Sequence, residues 1–320
     1  MKSQFLCLLV ALNSLANNCI ANDSMGSVSG GGIVFKTSNE VSMEKEVLTI
    51  SADKVRVEYE YINNTKHPIK EKIVFPMPPV IPGCDSEVRN YNGHPHDFKL
   101  WVNGQKQETT ETVRAVLQNG ENFTNPALLN GEDVTNRLKQ IGLSEDDIVN
   151  TNWYSPCEEA WEPADKNSAE IELSNLVKNG LAIGGANPRA LWLASYVEYW
   201  EQEFPPKQKI SIVHEYKPLV GAGYDYKDMA KEFCQSRNPE FNKTPYRYKR
   251  VDYILTTGAN WAGPIKDFTL NLKKDIADDV VSLCFDGRFV KQDDLTLSSH
   301  IKNFVPQKEI SVIFFIRADR

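Results

Sequence analysis

The sequence predicts a mainly β protein: two β-sandwich-like or open-barrel domains with a short helical segment between them. Three observations carry this. Charged and apolar residues alternate strictly from Lys54 to Tyr61, the apolar period lengthens to helical spacing between about residues 116 and 185, and alternation returns from Leu191 onward. Side chains alternate across a strand but recur every three to four residues along a helix face, so the period identifies the element.

The first 21 residues stand apart from the fold. Lys2 precedes the apolar run Phe5-Leu6-Cys7-Leu8-Leu9-Val10-Ala11-Leu12, and a polar stretch then ends in Cys19-Ile20-Ala21. Charge, short apolar core and small residue, in that order, form the layout of a secretory signal. The run is too short to span a bilayer, which takes about 20 residues. Cleavage after Ala21 leaves Cys84, Cys157, Cys234 and Cys284, an even set suited to an oxidising compartment, whereas cleavage after Ala16 strands Cys19 as an odd thiol. The expectation is an exported chain, periplasmic or extracellular. Of the three connectivities open to four cysteines, Cys84 with Cys157 and Cys234 with Cys284 is preferred, because the second pair lies within the C-terminal β region.

An N-terminal β domain is expected over 22–115. Val55, Val57, Tyr59 and Tyr61 share one strand face and Lys54, Arg56, Glu58 and Glu60 the other, as in a strand between core and water. Shorter apolar runs at Ile33 to Phe35, Val47 to Ile50, Ile73 to Phe75 and Phe98 to Val102 add strands, and Asn103-Gly104 marks a hairpin turn. A helix-and-loop insert is expected over 116–185. Val134, Leu138 and Ile141 fall at i, i+4 and i+7 before Gly142, while Ile171, Leu176 and Val177 follow Ser168 and end at Gly180. Between them the stretch from Trp153 to Glu162 is too rich in proline and acid for a strand. A C-terminal β domain with one helix, near Tyr226 to Gln235, completes the chain over 186–320. Its strands are expected at Leu191 to Trp200, Ile210 to Tyr216, Val251 to Leu255, Phe268 to Leu272, Val280 to Leu283 and Ile310 to Ile316.

Composition excludes several function classes. With 41% hydrophobic and 25% charged residues and a net charge of −7, the chain lacks the clustered basic surface by which proteins displace counterions from nucleic acid. The one basic cluster, Arg247-Tyr248-Lys249-Arg250, reads as an exposed strand edge that resists pairing. After the signal, no apolar stretch is long enough to span a membrane. No cofactor is implied. His94, His96 and Asp97 lie close enough to share a metal, but His67, His214 and His300 fall in other elements, so solvated loop histidines are the favoured reading and no metal site is assigned.

Three segments together resemble a known family: Tyr199-Trp200-Glu201-Gln202-Glu203-Phe204-Pro205, then His214-Glu215-Tyr216-Lys217-Pro218, then Gly258-Ala259-Asn260-Trp261-Ala262-Gly263-Pro264-Ile265. The glycine run Gly30-Gly31-Gly32 and Phe75-Pro76-Met77-Pro78 fit as well. The resemblance is to the bacterial exported family known as domain of unknown function 4424. It implies export and supplies no activity, substrate or catalytic residue.

The aromatics offer the best candidate ligand contacts. Trp192, Tyr196 and Trp200 share one strand face at spacings of about 13 Å, suited to an extended glycan or peptide. Covering by a second sheet is the favoured alternative for this row. Trp261, bracketed by glycines after a strand, is expected to fold over the end of the β core or, if exposed, to touch ligand. Glu158, Glu159 and Glu162, beside Trp153 and Trp161, supply the carboxylates a glycoside hydrolase would need. The sequence reading is therefore a non-enzymatic envelope module that binds or scaffolds an extracytoplasmic protein or glycan. The alternative is a hydrolase of cell-envelope glycan working through the acidic-aromatic loop 153–162.

Overall fold

A computed structural model of the chain describes residues 23–29, 32–83, 97–118, 131–151, 153–154, 163, 165–224 and 246–317. Two large antiparallel-dominated sheets carry the fold. One runs β2 (Gly32–Lys36), β1 (Ser24–Ser29), β5 (Ile69–Pro76), β11 (Trp192–Phe204) and β8 (Thr110–Leu117). The other runs β17 (Val290–Lys291), β18 (Thr296–Phe304), β15 (Ile265–Lys273), β3 (Val41–Ile50), β4 (Val55–Asn63), β12 (Lys209–Tyr216), β6 (Lys99–Val102) and β7 (Gln105–Gln107). A four-stranded sheet of β13 (Val220–Tyr224), β14 (Tyr246–Tyr253), β19 (Ile310–Arg317) and β16 (Val280–Ser282) and a two-stranded pair, β10 (Arg189–Ala190) with β9 (Ala182–Ile183), complete it.

Alternation explains β4. Val55, Val57, Tyr59 and Tyr61 are buried, while the outward Arg56 pairs with Glu215 of β12 at 2.6 Å and Glu60 with Lys209 at 2.9 Å. The inner face of β4 and β12 meets the first sheet: Phe75 of β5 lies 4.4 Å from the His214 ring, and Phe204 of β11 lies 5.9 Å from Tyr61. At the β6–β7 turn, Asn103 and Gly104 take φ of 49° and 78°, the mirror-image turn whose twist matches a hairpin and which Asn-Gly adopts with least strain.

The mainly β class stands, but the expected boundary near residue 115 does not separate sheets. Strands of the first and last thirds pair directly, β5 with β11, β4 with β12, and β3 in parallel with β15, and one apolar cluster joins Met25 to Phe314. Alternation identifies a strand and says nothing about which strand it pairs with. A second correction concerns the basic cluster: β14 lies between β13 and β19, so Arg247 to Arg250 is no edge, and its charges are met by acids, Lys249 at 3.8 Å from Asp53 and Arg250 at 2.8 Å from Asp252.

Helices α1 (Thr135–Ile141), α2 (Glu145–Val149) and α3 (Lys166–Lys178) fall between β8 and β9. Val134 and Leu138 are buried as their spacing predicts. Helix α3 departs from expectation: it begins after Asp165, whose carboxylate caps Asn167 and Ser168, and it buries Ala169 and Leu176 while Ile171 and Val177 stay exposed. The expected helix at 226–235 lies outside the described residues.

Candidate functional site

A cleft opens at the far end of β11. This strand pairs with β8 from Trp192 to Tyr199 and with β5 from Val197 to Phe204. The β8 side ends at Thr110, where the chain crosses over from β7 of the other sheet, so among the described residues the stretch from Trp200 to Phe204 has a strand neighbour on one side only.

The pleat fixes which backbone groups are left over. Met77 N–H donates to Tyr196 O at 2.8 Å and Gln118 N–H to Leu191 O at 2.7 Å. Even-numbered residues of β11 therefore bond toward β5, and odd-numbered ones toward β8. Glu201 and Glu203 accordingly turn their N–H and C=O to the side β8 has left. The Gln202 amide donates to the Glu203 carbonyl at 2.7 Å. No described strand pairs with Glu201 on that side.

A cavity of about 360 Å³ opens there, lined by Gln107 and Glu108 from the end of β7, Thr110, and Tyr199 to Gln202 of β11. That is at the lower end of ligand clefts, roughly 300–1,000 Å³. Trp200 is only 6% exposed, and its indole N–H finds no acceptor among the described residues. A buried donor left without a partner costs about 1–3 kcal/mol, and the nitrogen itself is sealed from solvent in this structure. Lys72 sits 4.7 Å over the Tyr199 ring and 3.8 Å from Glu201, while Lys106 lies 3.9 Å from Glu108.

The remaining aromatic candidates are packed. Trp192 is fully buried and donates its indole N–H to the Ile148 carbonyl of α2 at 3.0 Å. Tyr196 is buried on the same face, so the row is not a solvent-facing platform: the second sheet and the helical segment cover Trp192 and Tyr196, and Trp200 alone of the three reaches the cavity. Trp261 follows a 3-10 turn over Thr256–Asn260, lies 4.4 Å from the Tyr61 ring, and donates to the Asp23 carbonyl at 2.7 Å. Asn260 reaches the Ser24 hydroxyl at 3.1 Å rather than bonding within its own turn. The Gly258 to Ile265 stretch thus fastens the start of β1.

Beneath Trp261 lies a sealed polar network. His214 and Asp23 are wholly buried, with Nε2 and Oδ1 3.3 Å apart, and the imidazole is caged by the rings of Phe75, Phe98 and Tyr59. Tyr61 Oη donates to Asp23 at 3.4 Å, and the Tyr59 and Tyr253 hydroxyls meet at 3.2 Å. Burial above all, with the Asp23 and Glu46 carboxylates adding, holds these three phenols well above their ordinary range. They stay neutral hydrogen-bonding groups, and the network is architecture.

Glu158, Glu159 and Glu162 lie outside the described residues, as do Cys84, Cys157, Cys234, His94 and His96. Cys284, just beyond β16, is engaged rather than free. Among the described residues no three His, Cys, Asp or Glu side chains gather as a metal site would require. The notable acid of the helical segment is one that periodicity passes over. Glu172 of α3 lines a second cleft, of about 260 Å³, with Asp147 and Ile171. Burial first, then the Asp147 charge, pushes its carboxyl up to about 7, against a pull from the Trp153 indole. Asp147 itself is committed to the Ser144 hydroxyl and N–H at 2.6 and 2.9 Å, in a capping box that opens α2.

Residues 21–313 match the family described as a domain of unknown function, DUF4424, and the chain belongs to that family. No curated protein matches it. Among solved structures, a Legionella pneumophila protein provisionally described as nutrient binding shares 14% identity over 91% of this chain and 72% of its own, with a TM-score of 0.45. An M1 zinc metallopeptidase from Deinococcus radiodurans shares 9% identity at a TM-score of 0.31, with 88% of this chain matched to 43% of the peptidase. Yeast LTA4 hydrolase shares 7% at 0.32, with 86% matched to 28%. Likenesses this distant assign no activity to the chain.

Proposed function

We propose that this family member is an exported, non-enzymatic binding module of the cell envelope that holds an extended polar ligand in the cleft at the end of β11. The observation that carries the reading is Trp200: a buried indole whose N–H lacks an acceptor, lining a cavity beside the amides of Gln107 and Gln202. An aromatic surface ringed by a few fixed polar groups is the usual make-up of a small-ligand cleft. Export rests on the N-terminal signal, and the engaged state of Cys284 fits an oxidising compartment.

The hydrolase alternative works through Glu158, Glu159 and Glu162, which lie outside the described residues, so among the described residues it can be weighed only on the acids of the helical segment. There, Glu172 has the raised carboxyl expected of a general acid, yet its neighbour Asp147 is taken up in capping α2, which leaves no second free carboxylate described beside it. What supports binding is the cleft beside Trp200.

The test is a titration of the mature protein with soluble peptidoglycan fragments, which carry both glycan and peptide, followed by tryptophan fluorescence and indole N–H resonances. Trp200→Phe should weaken binding at least tenfold while changing stability by less than about 1.5 kcal/mol, as for a conservative core swap. Binding that is unaffected by this substitution, or that perturbs only residues remote from the cleft, would place the ligand elsewhere.

A further inference from the structure

Resting on that reading of the cleft, we infer that its occupant is an extended peptide that adds to β11 as a strand, in the line β8 leaves at Thr110. The argument begins with the backbone. Tyr199 is the last residue of β11 opposite β8, and two residues on, Glu201 directs its N–H and C=O into the vacated position. Had β8 kept its register, Glu108 would stand opposite Glu201. The chain instead turns away to β7 there.

An incoming strand meets three matched features. Its backbone satisfies Glu201, which a sugar ring cannot do at strand spacing. Side chains that land opposite Glu201 share the outer face with Glu201 itself. Glu108 lies at the same rim, and the two glutamates have side chains 76% and 93% exposed, each held only by a lysine contact near 4 Å. Basic residues suit those places. The intervening side chains share the inner face with Trp200 and Gln202, where an apolar residue can pack in the cavity beside the indole, and a shift of that ring on binding would bring its sealed N–H to a carbonyl of the incoming strand. The occupant is thus a short segment alternating basic and apolar residues. Strand addition of this kind draws affinity from main-chain hydrogen bonds and selectivity from alternate side chains.

The experiment follows backbone amide and indole resonances of the mature protein with three probes: an acetylated, amidated Val-Lys-Val-Lys-Val peptide, the same peptide N-methylated at alternate residues, and chitotetraose. The expected result is a shift of the Glu201 amide and the Trp200 indole N–H with the first probe, and at least tenfold weaker binding of the N-methylated form. Equal binding of both peptides would overturn strand addition. So would shifts at Trp200 with chitotetraose and none with the peptide, a result that would keep the cleft as a ligand site. No shift at either group with any of the three would overturn both readings.

Discussion

The two ends of β11 carry the same residue type on the same face and use it in opposite ways. At the start, Trp192 lies under α2, fully buried, with β8 on one side and its N–H satisfied by the Ile148 carbonyl. At the far end, eight residues on, Trp200 has β5 on one side, a cavity on the other, and an N–H with no described acceptor. What separates them is the length of the neighbouring strand. A strand that outruns its partner leaves a row of backbone groups at the sheet edge, a template that proteins ordinarily cover or blunt. Here charged residues stand at that edge, Glu201 with Lys72, Glu203 with Lys70 and Glu108 with Lys106, which discourages self-association.

Truncation separates the two ends most sharply. Trp192→Ala should cost about 3–5 kcal/mol in denaturant unfolding, the range for deleting a buried large aromatic, and it also leaves the Ile148 carbonyl without its donor. Trp261→Ala belongs with the closed end and should fall in the same range of about 3–5 kcal/mol, since its ring packs on Tyr61 and Phe204. A loss under about 1 kcal/mol at either would mean that the covering seen here is incomplete in solution.

The polar network beneath Trp261 should respond next. Asp23→Ala removes the acceptor of Tyr61 Oη and the neighbour of the buried His214 ring, and should destabilise by about 1–3 kcal/mol, as for a buried group left unpaired. Unfolding curves of Asp23→Ala and Asp23→Asn give the comparison, and the asparagine should recover part of the loss.

Glu172 tests the helical cover above the closed end through pH. Its folded carboxyl sits near 7 against an ordinary value of 4.5. Stability from the neutral form is therefore present in full below about pH 4.5 and is lost as pH rises through 7. Melting temperatures of Glu172→Gln and the unsubstituted protein should coincide at low pH, and the variant should become the more stable of the two as pH rises from about 4.5 through 7, with no further change above. A difference that does not vary with pH would remove the burial account of this carboxyl.

The smallest effect concerns the cleft's other wall. Gly104, at φ 78° and with open space where a Cβ would stand, should tolerate alanine at a cost of about 1 kcal/mol from backbone strain alone. Because the β6–β7 hairpin carries Gln107 to the cavity, Gly104→Ala should weaken ligand binding more than it weakens folding.

These contrasts also mark what the sequence makes legible. Parity placed Trp192, Tyr196 and Trp200 on one face, because alternation is local and covalent. It could not tell that β8 stops at Thr110, since the length of a partner strand is a long-range property, and so the end of the row that borders the cavity was not distinguishable from the other. The same limit explains the shared sheets: β4 reads clearly as a half-buried strand, while its partner β12 lies some 150 residues away in the sequence. Helix α2 escapes periodicity because it is a single short turn, and its signal in the sequence is the capping pair, Ser144 followed three residues later by Asp147. In α3, the apolar residues Ile171 and Val177 suggested an inward face, but burial follows Ala169 and Leu176, and the half-buried side includes the acid Glu172.

The difference between the two ends of β11 is read most directly from the indole N–H resonances of the mature protein, assigned by Trp192→Phe and Trp200→Phe. The account predicts a Trp192 resonance at the downfield position of a hydrogen-bonded indole, slow to exchange with solvent and indifferent to added ligand. It predicts a Trp200 resonance upfield of it in the free protein, moving downfield as a ligand supplies the missing acceptor. A Trp200 indole already hydrogen-bonded in the free protein, and unmoved by peptide or glycan, would contradict it.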